Sequence, residues 1–194
     1  MSVRAGILAL LSEADAYGLQ LHGELEQRTD RVGRVNVGQI YSTLERLSVA
    51  ELVHAAGSTS DGLPLYGITP RGRAEADAWF TELGVDSPTA WPDMVFKVLL
   101  ATSLGRPEST ALLDGYARAW RAELDAADPA PLADAGTAAD TAADAAALAR
   151  AELAGAALRW LDTLSTLPGG LPALTRELRS ERPRRGRRPT SAQE

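Results

Sequence analysis

The stretch Val35-Asn36-Val37-Gly38-Gln39-Ile40-Tyr41-Ser42-Thr43-Leu44-Glu45-Arg46-Leu47 decides how this chain is read. Ile40, Leu44 and Leu47 fall on one stripe of a helix and must face a core. Gln39, Ser42, Thr43 and Arg46 share the i, i+3, i+4, i+7 spacing of a second face. A surface helix normally turns long charged side chains to water. This one offers short hydrogen-bonding groups near its N-terminus and an arginine one turn later. Small residues permit close approach, and their donors and acceptors match base edges. Asn36 is a strong N-cap, and Gln39 three residues on can return the hydrogen bond. The segments that follow read as a hairpin. Leu52-Val53-His54 is an expected strand, Gly57-Ser58-Thr59-Ser60-Asp61-Gly62 a turn, and Leu65 to Ile68 the returning strand. A helix of this kind beside a β-wing is the pattern of a domain that enters a DNA groove.

Upstream, residues 3–12 read as a helix with apolar Val3, Ile7, Leu8, Leu10 and Leu11, broken by Ser12, Glu13 and Asp15. That break, with no small-residue cleavage site after it, favours a core helix over an export signal. Ser12 and Asp15 have capping-box spacing for a second helix from about Ala16 to Thr29. Tyr17, Leu21 and Leu25 line one face of it, and Gly18 leaves room for another backbone. Downstream, Thr69 caps a helix that starts at Pro70 and runs through Trp79-Phe80. Gly84 to Pro92, with its prolines, reads as a hinge. Residues 93–104 are apolar nearly all round, which predicts a buried helix. Residues 108–126 form another, with Leu113, Tyr116, Trp120 and Leu124 on one stripe. Pro129-Ala130-Pro131 breaks the chain before an alanine-rich helix from about Thr137 to Leu167. Leu153, Ala157, Trp160, Leu164 and Leu167 give that helix a short heptad seam.

The fold class expected is therefore mainly α with a small β-wing: a winged helix-turn-helix domain plus a helical C-terminal dimerisation domain. The boundaries expected are 1–84 for the DNA-binding domain, 85–92 for the hinge, 93–175 for the dimerisation domain, and 176–194 for a basic, disordered tail.

Composition bounds the chemistry. With no cysteine, disulfides and thiolate zinc sites are excluded, and His22 and His54 stand far apart. No metal, cofactor or catalytic residue is expected. There is no nucleophile motif, no phosphate-cradling glycine loop and no closely paired carboxylates at a strand end. No apolar run is long enough to cross a bilayer, and a cytoplasmic location is the default. The net charge of −6 argues against simple polyanion binding. It is spread unevenly: net −3 over residues 1–80, −7 over 81–175 and +4 over 176–194. A DNA-binding role thus requires the arginines to gather on one face.

Taken together, these residues resemble the PadR-type transcriptional regulators, of the longer kind with an extended helical C-terminal domain. The family's third helix follows roughly V-S-P-G-x-L-Y-x-x-L-x-x-L, matched by Val35 to Leu47; its tyrosine-glycine pair is Tyr17-Gly18. Its wing exit, Y-x-L-T-x-x-G, is matched by Tyr66-Gly67-Ile68-Thr69-Pro70-Arg71-Gly72. The resemblance is close over residues 3–80 and weaker over 92–167. Val37 replaces the usual proline, and Glu51 stands where the family ends the recognition helix with glycine. A left-handed Glu51 costs about 1 kcal/mol; otherwise the turn differs. The resemblance implies a homodimeric, non-enzymatic regulator, mostly of the repressor kind, with DNA as partner and in some members a small aromatic ligand near the dimer interface.

The expected DNA-binding residues are Asn36, Gln39, Tyr41, Ser42, Thr43, Arg46, the wing-tip Ser58, Thr59 and Ser60, and Arg71. Tyr41 fits a core tyrosine with its hydroxyl at the rim or, as favoured, a phosphate hydrogen bond. Asn36 suits a cap better than a reader. Arg31, Arg34 and Arg73 are further candidates for phosphate contact. Trp91, Trp120 and Trp160 are candidate ligand-binding residues, although tryptophans more often serve a core or a dimer interface. The alternative function is a helical interaction module whose winged domain binds protein instead of DNA.

Overall fold

The computed structural model describes residues 2–32, 35–83, 90–127 and 138–178. Helix α1 (Val3–Leu11) is capped by Ser2, whose Oγ accepts from the Ala5 amide at 3.2 Å. It is the central rod of the N-terminal domain: Ile7, Leu8 and Leu10 are wholly buried. Helix α2 (Gly18–Arg28) and helix α3 (Val37–Val49) form the helix-turn-helix. The wing follows as strands β1 (Val53–Ser58) and β2 (Pro64–Ile68), paired antiparallel with Val53 opposite Ile68. Helix α4 (Pro70–Thr81) returns across α1, and an ion pair joins Arg4 to Glu75 at 2.6 Å.

The expected cap of α2 is corrected. Ser12 terminates α1, its hydroxyl donating to the Leu8 carbonyl, and α2 begins only at Gly18 with no side-chain cap. The reason lies in the wing. Ala16 and Tyr66 exchange both backbone hydrogen bonds, at 3.1 and 3.0 Å, so the α1–α2 connection is extended and adds a short third pairing to the sheet. β1 is also longer than the residues 52–54 expected from periodicity, because a register shift between Ala55 and Ser58 interrupts the alternation.

The C-terminal region is helical: α5 (Trp91–Ser103), α6 (Ser109–Ala127) and α7 (Ala138–Ser165), then a 3-10 turn at Leu171–Leu174. The expected break at Pro129-Ala130-Pro131 and most of the expected hinge, residues 84–89, lie outside the described residues; Trp91 and Pro92 already belong to α5. α5 is buried on most sides, as its composition predicts, and its Phe96 reaches α1. One hydrophobic cluster therefore runs from Val3 to Leu164. The seam of α7 keeps the expected Ala157 and Leu164 but buries Ala154 and Leu161 in place of Leu153 and Trp160. Ala147, Ala154, Ala157, Leu161 and Leu164 are buried, while Leu153 is 43% exposed. Small alanines let α6 and α7 pack closely, and the larger Leu153 and Leu148 are left outside.

Lys97 and Arg28 tie the two regions together. The Lys97 ammonium donates to the last carbonyls of α4, Trp79 at 2.8 Å and Glu82 at 2.6 Å. Arg28 is buried beside Glu24 and donates to the Ser103 and Arg176 carbonyls. The segment after α7 is thus pinned between α2 and α5, with the Arg176 amide donating back to the Ser103 carbonyl at 2.8 Å.

Candidate nucleic-acid interface

The candidate site is built on α3, so its orientation comes first. Asn36 Oδ1 accepts from the Gln39 amide at 2.8 Å and fixes where the helix starts. At about 100° per residue, the wholly buried Ile40, Leu44 and Leu47 define the inner face. The stripe facing directly away from them carries Gly38, Ser42, Glu45 and Val49, all exposed. Gln39 and Arg46 stand on one flank of that stripe and Tyr41 on the other, also exposed. Among the described residues, nothing from the C-terminal helices buries these side chains.

The flanks are supported differently. Tyr41 leans on the first turn of α2, where Gly18 makes room: a β-carbon there would lie 2.6 Å from the tyrosine ring. On the other flank a cleft of 310 Å³ opens between α3 and the start of α1, lined by Ser2, Arg4, Gln39, Thr43 and Arg46. Arg46 folds back along its helix, donating to the Ser42 carbonyl at 3.1 Å and to Thr43 Oγ1 at 3.2 Å. Thr43 itself is only 5% exposed. It holds the Arg46 side chain from within and does not stand on the outer face where the sequence spacing put it.

His22 was not singled out from the sequence. Its Nε2–H donates to the Val35 carbonyl at 2.8 Å, which steadies the turn entering α3. Glu45 and Val49 were also passed over. The two-face pattern drew attention to Gln39 and Arg46, but the direction opposite Ile40, Leu44 and Leu47 points to Ser42, Glu45 and Val49. Projection from the aliphatic side alone would have found them.

The wing tip is part scaffold. Thr59 Oγ1 donates to Asp61 at 2.6 Å and accepts from the Leu63 amide, so its hydroxyl is engaged in the turn. Ser58 and Ser60 are exposed beside it. Arg71 reaches the Ala50 carbonyl at the end of α3, and Arg73 donates to the Ser12 carbonyl at 3.0 Å. Arg31 lies 3.7 Å from Glu26, and Arg34 is outside the described residues.

The tryptophans divide. Trp91 and Trp160 meet edge to face with centroids 5.6 Å apart, joining the start of α5 to α7 at a half-buried position. Trp120 is turned into the core, its indole N–H directed at the Met94 sulfur. Among the described residues no group of three or more acidic or histidine side chains is placed to hold a metal ion. Among them, too, no helix is long and apolar enough to cross a membrane.

These features define a winged helix-turn-helix domain carrying a helical C-terminal region. Residues 7–78 match the model of the transcriptional regulator PadR-like family. Among solved structures, the chain is similar to Bacillus subtilis PadR in complex with operator DNA, at 17% identity over 82% of this chain and 94% of that one, with a TM-score of 0.39. It is similar also to Bacillus subtilis PadR in complex with p-coumaric acid, at 17% identity over 89% and 94%, with a TM-score of 0.38. No curated protein sequence matches it.

Proposed function

We propose that the chain is a sequence-specific DNA-binding transcriptional regulator without catalytic activity. It acts in the cytoplasm as a homodimeric repressor on an inverted-repeat operator and is released by a small aromatic effector. One observation carries this reading. In a PadR-like domain, α3 buries its aliphatic side and leaves Gln39, Ser42 and Arg46 uncovered beside a wing. Gln39, Ser42 and Arg46 serve as base or phosphate contacts, Tyr41 as a phosphate donor, and Ser58 and Ser60 as wing contacts. Asn36, Thr43, Thr59 and Arg71 hold the frame around them.

Residues 1–84 form the DNA-binding unit and residues 93–175 the dimerising unit. Leu148 and Leu153, left exposed on α7, suit a second copy of the chain. In a two-fold dimer the recognition helices enter successive major grooves about 34 Å apart. The half-buried Trp91–Trp160 pair and the buried Trp120 are the effector-binding residues. The arginines from 176 to 188 add affinity that does not depend on sequence.

A mobility-shift titration against the DNA upstream of the chain's own coding region tests the reading. Binding that weakens with salt, weakens again in Arg46→Ala and loses base preference at one position in Gln39→Ala is expected, with about 1–3 kcal/mol at stake for a bidentate contact. No binding to any palindrome, or binding indifferent to salt, overturns it. The acidic net charge and the Asp61 carboxylate at the wing tip favour one second reading, a module that docks on a basic protein. A monomer that ignores duplex DNA is its signature.

A further inference from the structure

We propose that Glu45 is a specificity-determining residue that accepts a hydrogen bond from the exocyclic amino group of a cytosine in the major groove. The inference rests on α3 being the groove helix. Glu45 lies on the stripe opposite Ile40, Leu44 and Leu47, with Ser42 one turn before it and Val49 one turn after. It is exposed, and among the described residues it makes no hydrogen bond or ion pair. The adjacent arginine does not neutralise it, because the Arg46 guanidinium is turned onto the Ser42 carbonyl and Thr43 Oγ1. Nearer the helix N-terminus, Gly38 leaves the same stripe without a side chain, which lets the helix sink toward the base pairs.

A carboxylate on the deepest line of a groove helix is repelled by both phosphate strands. It is compatible with tight binding only where a base edge supplies a donor. The major groove offers two, cytosine N4 and adenine N6. Adenine presents its N7 acceptor beside N6, and that lone pair opposes a carboxylate; cytosine has no acceptor next to N4 on its own edge. The carboxylate therefore selects cytosine and penalises every other base at that position.

The test uses the full-length protein and a randomised duplex library. The site selected by the unaltered chain is then varied base by base in anisotropy titrations, alongside Glu45→Ala and Glu45→Gln. The unaltered chain is expected to prefer cytosine at one symmetric pair of positions by about tenfold. Glu45→Ala is expected to lose that preference and keep the others. Glu45→Gln is expected to shift it to adenine, whose N6 and N7 an amide can bridge. If Glu45→Ala binds all duplexes more tightly by one common factor with every base preference intact, the carboxylate only repels phosphate and the inference falls while DNA binding stands. If the unaltered chain shows no cytosine preference, the inference falls in the same way. If it selects no duplex at all, the DNA-binding reading falls with it.

Discussion

Glu51 shows how one residue can depart from a pattern and still keep its geometry. It adopts a left-handed backbone, φ 57°, at the end of α3. The Leu52 amide donates to the Leu47 carbonyl and the Glu51 amide to the Ser48 carbonyl, which together close a Schellman turn. A residue with a β-carbon is strained there, and the same position in the resembling family carries glycine. Glu51→Gly is therefore expected to raise the unfolding free energy by roughly 1 kcal/mol. The gain is offset in part by the looser unfolded chain that a glycine brings. Urea denaturation checks it, and a drop in stability would mean that the Glu51 side chain contributes more than its strain costs. The strain was legible in the sequence as a missing glycine. The burial of Thr43 was not, because spacing marks which residues share a face but not where the face ends.

At the scale of elements, the joint between α2 and α3 sets how α3 is presented. Tyr41 occupies the space a side chain at position 18 would need, and His22 holds the carbonyl of Val35 just before α3. Gly18→Ala is expected to push the Tyr41 ring away and tilt α3, cutting DNA affinity about tenfold or more. Helix content by circular dichroism should stay unchanged. If affinity holds, the ring moves freely and the joint is not rigid. The periodicity of α3 and α4, and the buried character of α5, could be read directly from apolar spacing. The start of α2 could not, since Ala16 is drawn into a pairing with Tyr66 some fifty residues away. The α7 seam misled for a related reason. Leucines look like core residues, yet the space against α6 admits Ala154 and Ala157 and leaves Leu153 outside.

The whole molecule depends on a few polar groups sealed between its two regions. Arg28 draws α2, the end of α5 and the segment after α7 to one point. Lys97 draws the end of α4 onto α5, with its ammonium 4.8 Å from the Trp79 ring centre. Burial holds the Lys97 ammonium down from its ordinary 10.5 to about 8, and the nearby Glu82 and Asp93 carboxylates only partly oppose it. The sign of the consequence is fixed by which state binds more protons. Between pH 8 and 10 the unfolded chain keeps the Lys97 proton while the folded chain has released it, so stability rises with pH in that window. The rise is about 2 kcal/mol. Above pH 10 Tyr116 acts the other way. Burial, and then Asp93, push its hydroxyl up to about 12, so the unfolded chain ionises first and stability falls. Urea unfolding midpoints measured from pH 7.5 to 11 should therefore climb to a maximum near pH 10 and then decline. Lys97→Met should flatten the climb and leave the decline. A climb that persists in Lys97→Met would assign the proton to another group and remove Lys97 as the titrating pin between the winged domain and the C-terminal helices.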